Sequence, residues 1–286
     1  MAMRLRDLLL GLRELHLEDA PVIVHSSLKS FGEVEGGAQT VVNALVGVFQ
    51  SVMVPTFTYK TMLTPLTGPE HNAMKYGSGE AQNRMAEFYT PWMPADPLMG
   101  IIPETFRNHP RAERSIHPIQ SFAGINAVNL LKAQSMADPL GPLAALEQES
   151  GWVVLMGVDH TVNTSIHYAE KLAGRRQFLR WALTPKGVLE CPGFPGDSAG
   201  FQAIAPEIEK FTRKVQIGRA SVQAVPLVML FKVVIAQIKK DPLALLCQQA
   251  DCERCGEIRE QVKREQGEGN QGTGATEVAT TNGDSL

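Results

Sequence analysis

Residues 21–56 read PVIVHSSLKSFGEVEGGAQTVVNALVGVFQSVMVPT, and their hydrophobic period changes twice. Pro21-Val-Ile-Val-His25 is a short β-branched run, the pattern of a buried strand. Ser26-Ser27-Leu28 and the pair Gly36-Gly37 follow, after which Val41, Val42, Leu45, Val46 and Phe49 recur at helical spacing. Val52-Met-Val-Pro-Thr56 returns to a strand pattern. A strand, loop, helix, strand unit builds parallel sheets, so the opening of the chain is α/β.

Working outward, Leu5, Leu8, Leu9, Leu12 and Leu15 form one face of a helix that charges interrupt, which predicts a structural helix rather than a secretory signal. Gly100 to Phe106 predicts a short helix, and Gln120 to Gly124 and Trp152 to Gly157 predict strands. Thr161 to Gly174 predicts a helix with Thr161 or Asn163 as N-cap, Gly174 as its terminal glycine, and Lys171, Arg175 and Arg176 at its negative end. Thr58 to Leu98 lacks periodicity and reads as a long insertion of the lid or binding-loop kind. Residues 1–265 are expected to form a single domain, and 266–286, rich in Gly, Thr, Asn and Glu, a disordered tail.

The 286 residues carry 27 Lys+Arg against 30 Asp+Glu, a net charge of −3, which provides no electrostatic footprint for nucleic acid or an anionic membrane. The most apolar later stretch, Val222 to Ala236, contains Gln223, Pro226 and Lys232 and is shorter than the roughly 20 residues of a membrane span. Four cysteines in a chain of this length do not make a secreted disulfide scaffold, so a cytoplasmic protein is expected.

Five constellations could carry chemistry. Trp152-Val-Val-Leu-Met-Gly157 feeds through a polar turn into the helix bearing His167 and Glu170, three residues apart and on one face. A carboxylate so placed can orient the ring as an acid/base group, while the bland reading is an incidental helical pair. His25-Ser26-Ser27 ends a strand, and its hydroxyls either bind a carbonyl or phosphate or cap the next segment. Gly36-Gly37 before a helix is either an anion-binding N-terminus or a tight turn. Arg114-Ser-Ile-His117-Pro118 presents a cation and a histidine from an extended loop, or packs against the sheet. Cys247-x4-Cys252-x2-Cys255, with Cys191 as a fourth thiolate, is either a structural zinc site or a set of reduced thiols.

The ordered set His25-Ser-Ser-Leu28, Gly36-Gly-Ala-Gln-Thr-Val-Val-Asn-Ala-Leu45, Val54-Pro-Thr56, Arg114-Ser-Ile-His-Pro118, Ser121-Phe-Ala123, Asp138-Pro-Leu-Gly141, Asn163-Thr-Ser-Ile-His-Tyr-Ala-Glu170 and Asp241-Pro-Leu-Ala-Leu-Leu-Cys247 resembles the aminoglycoside 3-N-acetyltransferases, the antibiotic N-acetyltransferase family. The resemblance runs from about His25 to Cys255. It implies a three-layer α/β/α core with a mixed, largely parallel sheet and a long acceptor-side insertion. It further implies transfer of the acetyl group of acetyl-CoA directly to the 3-amino group of an aminoglycoside, with the histidine as base. By motif, His167 would be the catalytic histidine, Glu170 its oriented partner and His25 a further catalytic group. Ser26, Ser27, Gly36, Gly37, Arg114 and His117 would hold the coenzyme. Two other chemistries stay open on the residues: acetylation of another amine metabolite, and a hydrolase or acyltransferase using Ser26 or Ser27 as nucleophile. A binding protein that has kept the fold without turnover is a third reading. The insertion holds Glu70, Glu80, Glu87 and Asp96 against Lys60, Lys75 and Arg84, so its charge alone does not name a polycationic acceptor.

Overall fold

The computed structural model describes residues 2–271. The predicted opening unit forms as α1 (Leu5–Arg13), β1 (Pro21–Ser26), α2 (Gly37–Val48) and β2 (Ser51–Pro55). The insertion contains β3 (Met62–Leu63) and α3 (Glu80–Arg84), and is followed by α4 (Ile101–Arg107), β4 (Glu113–Arg114), β5 (Phe122–Ile125), α5 (Val128–Lys132) and α6 (Gly141–Gln148). The centre of the chain supplies β6 (Trp152–Met156), α7 (Thr164–Leu172), β7 (Phe178–Thr184) and β8 (Gly187–Phe194). The remainder forms α8 (Ala205–Ile208), β9 (Arg213–Ile217), β10 (Ala220–Pro226), α9 (Leu227–Lys240) and α10 (Glu253–Gln271).

Alternation along the central strands makes the three layers. Val22 and Val24 of β1, Val52 and Val54 of β2, and Val154 and Met156 of β6 pack with Leu8, Leu12, Val41, Leu45 and Phe106 from α1, α2 and α4. Ile23, Met53, Val153 and Leu155 point to the opposite face and meet α5, α6, α7 and α9 through Leu131, Leu146, Ile166 and Leu230. Successive strand residues face opposite sides, so strands covered on both faces read as continuous apolar runs.

The main sheet has the order β4-β5-β2-β1-β6-β10-β9. It is mixed as expected, but it is not largely parallel. Parallel pairing joins only β1 to β2 and β1 to β6, whereas β5, β4, β10 and β9 all add antiparallel. The reason is connection length. The crossover through α2 returns β2 parallel to β1, while the short turn at Gly218 joins β9 to β10 as a hairpin, which can only pair antiparallel.

The insertion is not a free lid. Met62 and Leu63 pair with Ala182 and Trp181, making a second sheet of order β3-β7-β8 that stands beside the main one. Its core of Ile119, Phe178, Ala182 and Phe194 also receives Cys247, Cys255 and Ile258 from the C-terminal segment. The expected tail boundary at residue 265 is crossed by α10, which continues to Gln271; residues 272–286 lie outside the described residues. Among the described residues no helix is long and apolar enough to cross a membrane.

Candidate active site

Parallel pairing of β1 with β6 sets His25 opposite Leu155 and Ser26 opposite Met156, so the two motifs emerge side by side at the carboxyl end of the sheet. This is where open α/β sheets bind ligands. Gly157 holds the exit together: its φ is +67°, and a Cβ there would lie 2.3 Å from the Ser30 Cβ. The Ser30 hydroxyl donates to the Gly157 carbonyl at 2.5 Å, tying the exit of β1 to that of β6.

The turn after Gly157 is built by side-chain caps. Asp159 Oδ1 accepts from the Thr161 amide at 2.9 Å, and Asn163 Oδ1 accepts from the Ser165 amide at 3.1 Å as the N-cap of α7. At the other end Gly174 is left-handed, the Arg175 amide donates to the Glu170 carbonyl at 3.0 Å and the Gly174 amide to that of Lys171 at 3.0 Å. This Schellman closure turns Arg175 back along the helix instead of letting it serve only the helix dipole.

A buried relay results. His167 Nδ1 lies 2.9 Å from Glu170 Oε2, and Glu170 Oε1 lies 2.5 Å from Arg175 Nη1. The Arg175 Nη2 donates to the carbonyls of Pro242 and Ala244, each at 2.8 Å. The Glu170 and Arg175 side chains are both 1% exposed, and the His167 ring packs edge-on against Phe201 at 4.7 Å. With Nδ1 committed to the carboxylate, Nε2 is the ring nitrogen left for the cleft that His167 lines. Glu170→Ala is expected to destabilise the fold by about 3–5 kcal/mol, because Arg175 would be left as a buried charge without its carboxylate. Chemical denaturation of the variant against the parent checks this.

The cleft has a volume of about 1240 Å³ and carries His25, Ser26, Ser27, Thr164 and His167 together. Burial, reinforced by the nearby His160 and His167, lowers His25 to about 3, so its ring is neutral. Burial likewise lowers His160 to about 4, and its Nδ1 meets the Asn163 amide at 3.2 Å. The hydroxyls of Ser26 and Ser165 are buried without partners. Among the described residues neither Ser26 nor Ser27 is hydrogen-bonded to a histidine, the contact a serine nucleophile requires.

Four further residues singled out in the sequence do not line the cleft: Gly36, Gly37, Arg114 and His117. Gly36 is the left-handed N-cap of α2, beside the backbone bridge of Met3 to Val34. Arg114 is a staple, its guanidinium donating to the Thr56 carbonyl at 2.7 Å, to the hydroxyls of Thr56 and Ser121, and to the Met93 carbonyl. The His117 Nδ1 accepts from the amides of Ile119 and Gln120, and burial lowers the ring to about 4. Arg114 is thus spent on local contacts, whereas the His117 Nε2 is buried without a partner.

The structure adds cations that no motif announced. Lys29, Lys75, Arg180 and Arg254 line the cleft against one acid, Glu253. Arg180 is buried between the rings of Phe178 and Phe194, with its guanidinium 5.4 and 4.9 Å from their centroids, and burial lowers it to about 10. The insertion's own charges are largely spent internally, Lys60 on Glu87 at 3.0 Å and Arg84 on Glu80.

A family model for aminoglycoside 3-N-acetyltransferase matches residues 23–239. The SPbeta prophage-derived aminoglycoside N(3')-acetyltransferase-like protein YokD of Bacillus subtilis (strain 168) is 31% identical over 162 residues, 52% of this chain and 57% of its own length. Aminoglycoside N(3)-acetyltransferase IX of Micromonospora chalcea is 33% identical over 177 residues, 58% of this chain and 60% of its own length. The chain thus matches less than two thirds of the length of these two relatives. Among solved structures, the apoenzyme of aminoglycoside acetyltransferase AAC(3)-IVa superposes with a TM-score of 0.73 at 21% identity, covering 91% of this chain and 98% of that one. The binary complex of AAC-IIIb with CoASH superposes with a TM-score of 0.67 at 19% identity, covering 84% and 97%. With a family model spanning most of its length, the chain belongs to the aminoglycoside 3-N-acetyltransferase family.

Proposed function

We propose that this protein transfers the acetyl group of acetyl-CoA to an amine of an aminoglycoside, with His167 as general base. The observation that carries the reading is the buried His167, Glu170, Arg175 relay opening onto the cleft beside Ser26 and Ser27. Glu170 accepts the Nδ1 proton and fixes the tautomer, so the Nε2 lone pair takes a proton from the attacking amine. The amine nitrogen bonds to the thioester carbonyl carbon, the carbon–sulfur bond breaks, and the departing thiolate takes up the proton. The oxyanion formed on the way needs donors, a role for which the hydroxyls of Ser26, Ser27 and Thr164 are in the cleft. A neutral His25 beside them adds a polar ring without a competing charge. Lys29, Lys75, Arg180 and Arg254 complement the phosphates of a coenzyme, and the related AAC-IIIb is known in complex with CoASH.

The same cations favour a second reading of the acceptor, an amine less positively charged than an aminoglycoside, because Lys29, Lys75 and Arg180 outnumber Glu253 in the cleft even with Arg254 paired to Asp197, and an excess of positive charge repels a polycation. Thiol release from acetyl-CoA, measured across aminoglycosides and simple mono- and diamines, separates the two. Release with aminoglycosides alone supports the first acceptor, and release with simple amines alone the second. No release with any amine, from protein that binds CoA, rejects acetyl transfer.

A further inference from the structure

Away from the relay, three segments of chain converge on a cluster that acetyl transfer does not use. Ligand atoms of Asp197, Cys247, Cys252 and Cys255 all lie within 4.8 Å of one another. Asp197 comes from the loop after β8, Cys247 and Cys252 from the segment after α9, and Cys255 from the first turn of α10. Cys247 and Cys255 are buried, and all of the cysteines are free thiols. Around a tetrahedral zinc ion, ligands at roughly 2.0–2.3 Å sit about 3.5–3.8 Å from each other, so four mutually close donors of this kind match one ion. A disulfide would use only two of the three thiols and leave the third and the carboxylate without purpose.

The surroundings also suit a metal. The Arg254 Nη2 donates to Asp197 Oδ2 at 2.9 Å and its Nη1 to the Gly196 carbonyl at 2.8 Å. The Ala199 amide donates to Asp197 Oδ1 at 2.9 Å, and the Arg259 guanidinium to the Cys247 carbonyl. Three thiolates and a carboxylate around a divalent ion carry excess negative charge, which these guanidinium groups and the N-terminus of α10 offset. Soft sulfur donors select zinc over magnesium or calcium.

We propose that Asp197, Cys247, Cys252 and Cys255 bind one structural zinc ion that clamps α10 and the loop after β8 to the cleft. Cys191, the fourth thiolate expected from sequence, is outside the cluster, with its sulfur toward the Leu189 carbonyl at 3.8 Å. Four protein donors leave no open position, so the ion is structural rather than catalytic. Loading releases the thiol protons to solvent. Because Cys252, Glu253 and Arg254 also line the cleft, the clamp holds one of its walls.

Metal analysis of protein purified without chelators is expected to find one zinc per chain, retained in Cys191→Ser and lost in Cys252→Ser. Since a cysteine variant can fail by misfolding, the parent protein exchanged into cobalt chloride gives an independent reading: thiolate-to-cobalt charge-transfer absorption is expected. Sub-stoichiometric metal in parent protein supplied with zinc chloride, absence of that absorption, or a disulfide among Cys247, Cys252 and Cys255 would overturn the proposal.

Discussion

His167→Ala is expected to lower kcat by roughly 10²–10⁴-fold, the usual worth of a positioned general base, while the KM for acetyl-CoA changes little. Its Nδ1 is spent on Glu170 and its ring packs on Phe201, so binding of the coenzyme is not expected to depend on it. What is lost is the acceptor for the amine proton, which is needed only on the way to the transition state. Steady-state thiol release with saturating acceptor reads kcat directly, and calorimetric binding of CoA to the variant reads the ground state. Glu170→Gln should fall in the same direction, since Arg175 holds the amide oxygen and turns the amide nitrogen, a donor, toward Nδ1, which favours the wrong tautomer of the ring. A near-normal kcat in His167→Ala would end the proposal that this ring is the base, whatever its effect on stability.

The second large effect is on stability at acidic pH. His25, His117 and His160 are 5%, 2% and 1% exposed and are held at about 3, 4 and 4 by burial, against an ordinary value of 6.5. Below 6.5 the unfolded chain takes up protons on these rings and the folded protein does not. Their contribution is therefore complete above pH 6.5 and is lost progressively as the pH falls from 6.5 toward 4. Each histidine contributes a slope of roughly 1 kcal/mol per pH unit in that window, so unfolding takes up about three protons near pH 5. Denaturant titrations from pH 8 to pH 4.5 measure the slope. His117→Gln, outside the cleft, should remove about one proton of it. A stability that stays level between pH 6.5 and pH 4.5 would contradict this account.

Much of the site was legible because its key contacts are local. His167 and Glu170 are three residues apart on one helix, and Asn163 and Gly174 announce the ends of that helix in one dimension. The strand exits were legible for the same reason, since Pro21 to Ser26 and Trp152 to Met156 are short apolar runs that end in polar turns. Arg175 stood in view as a cation at a helix end, yet its pairing with Glu170 depends on a left-handed Gly174 and on the carbonyls of Pro242 and Ala244. Arg180, Lys29 and Lys75 belong to no motif; a strand, a turn and an insertion carry them to one cleft.

By itself, then, the sequence determined the α/β class, the covering of the central strands on both faces, the helix bearing His167 and Glu170, and the family. Periodicity, capping and short motifs are local properties, written over a few residues. The tertiary structure alone decided that the sheet is antiparallel outside β2-β1-β6, that the insertion joins a second sheet, and that Arg114 and His117 lie outside the lining of the cleft. It alone decided as well that Asp197 rather than Cys191 stands with the three cysteines. These are contacts between residues far apart in the chain, fixed by which surfaces bury together, and no local pattern encodes that choice.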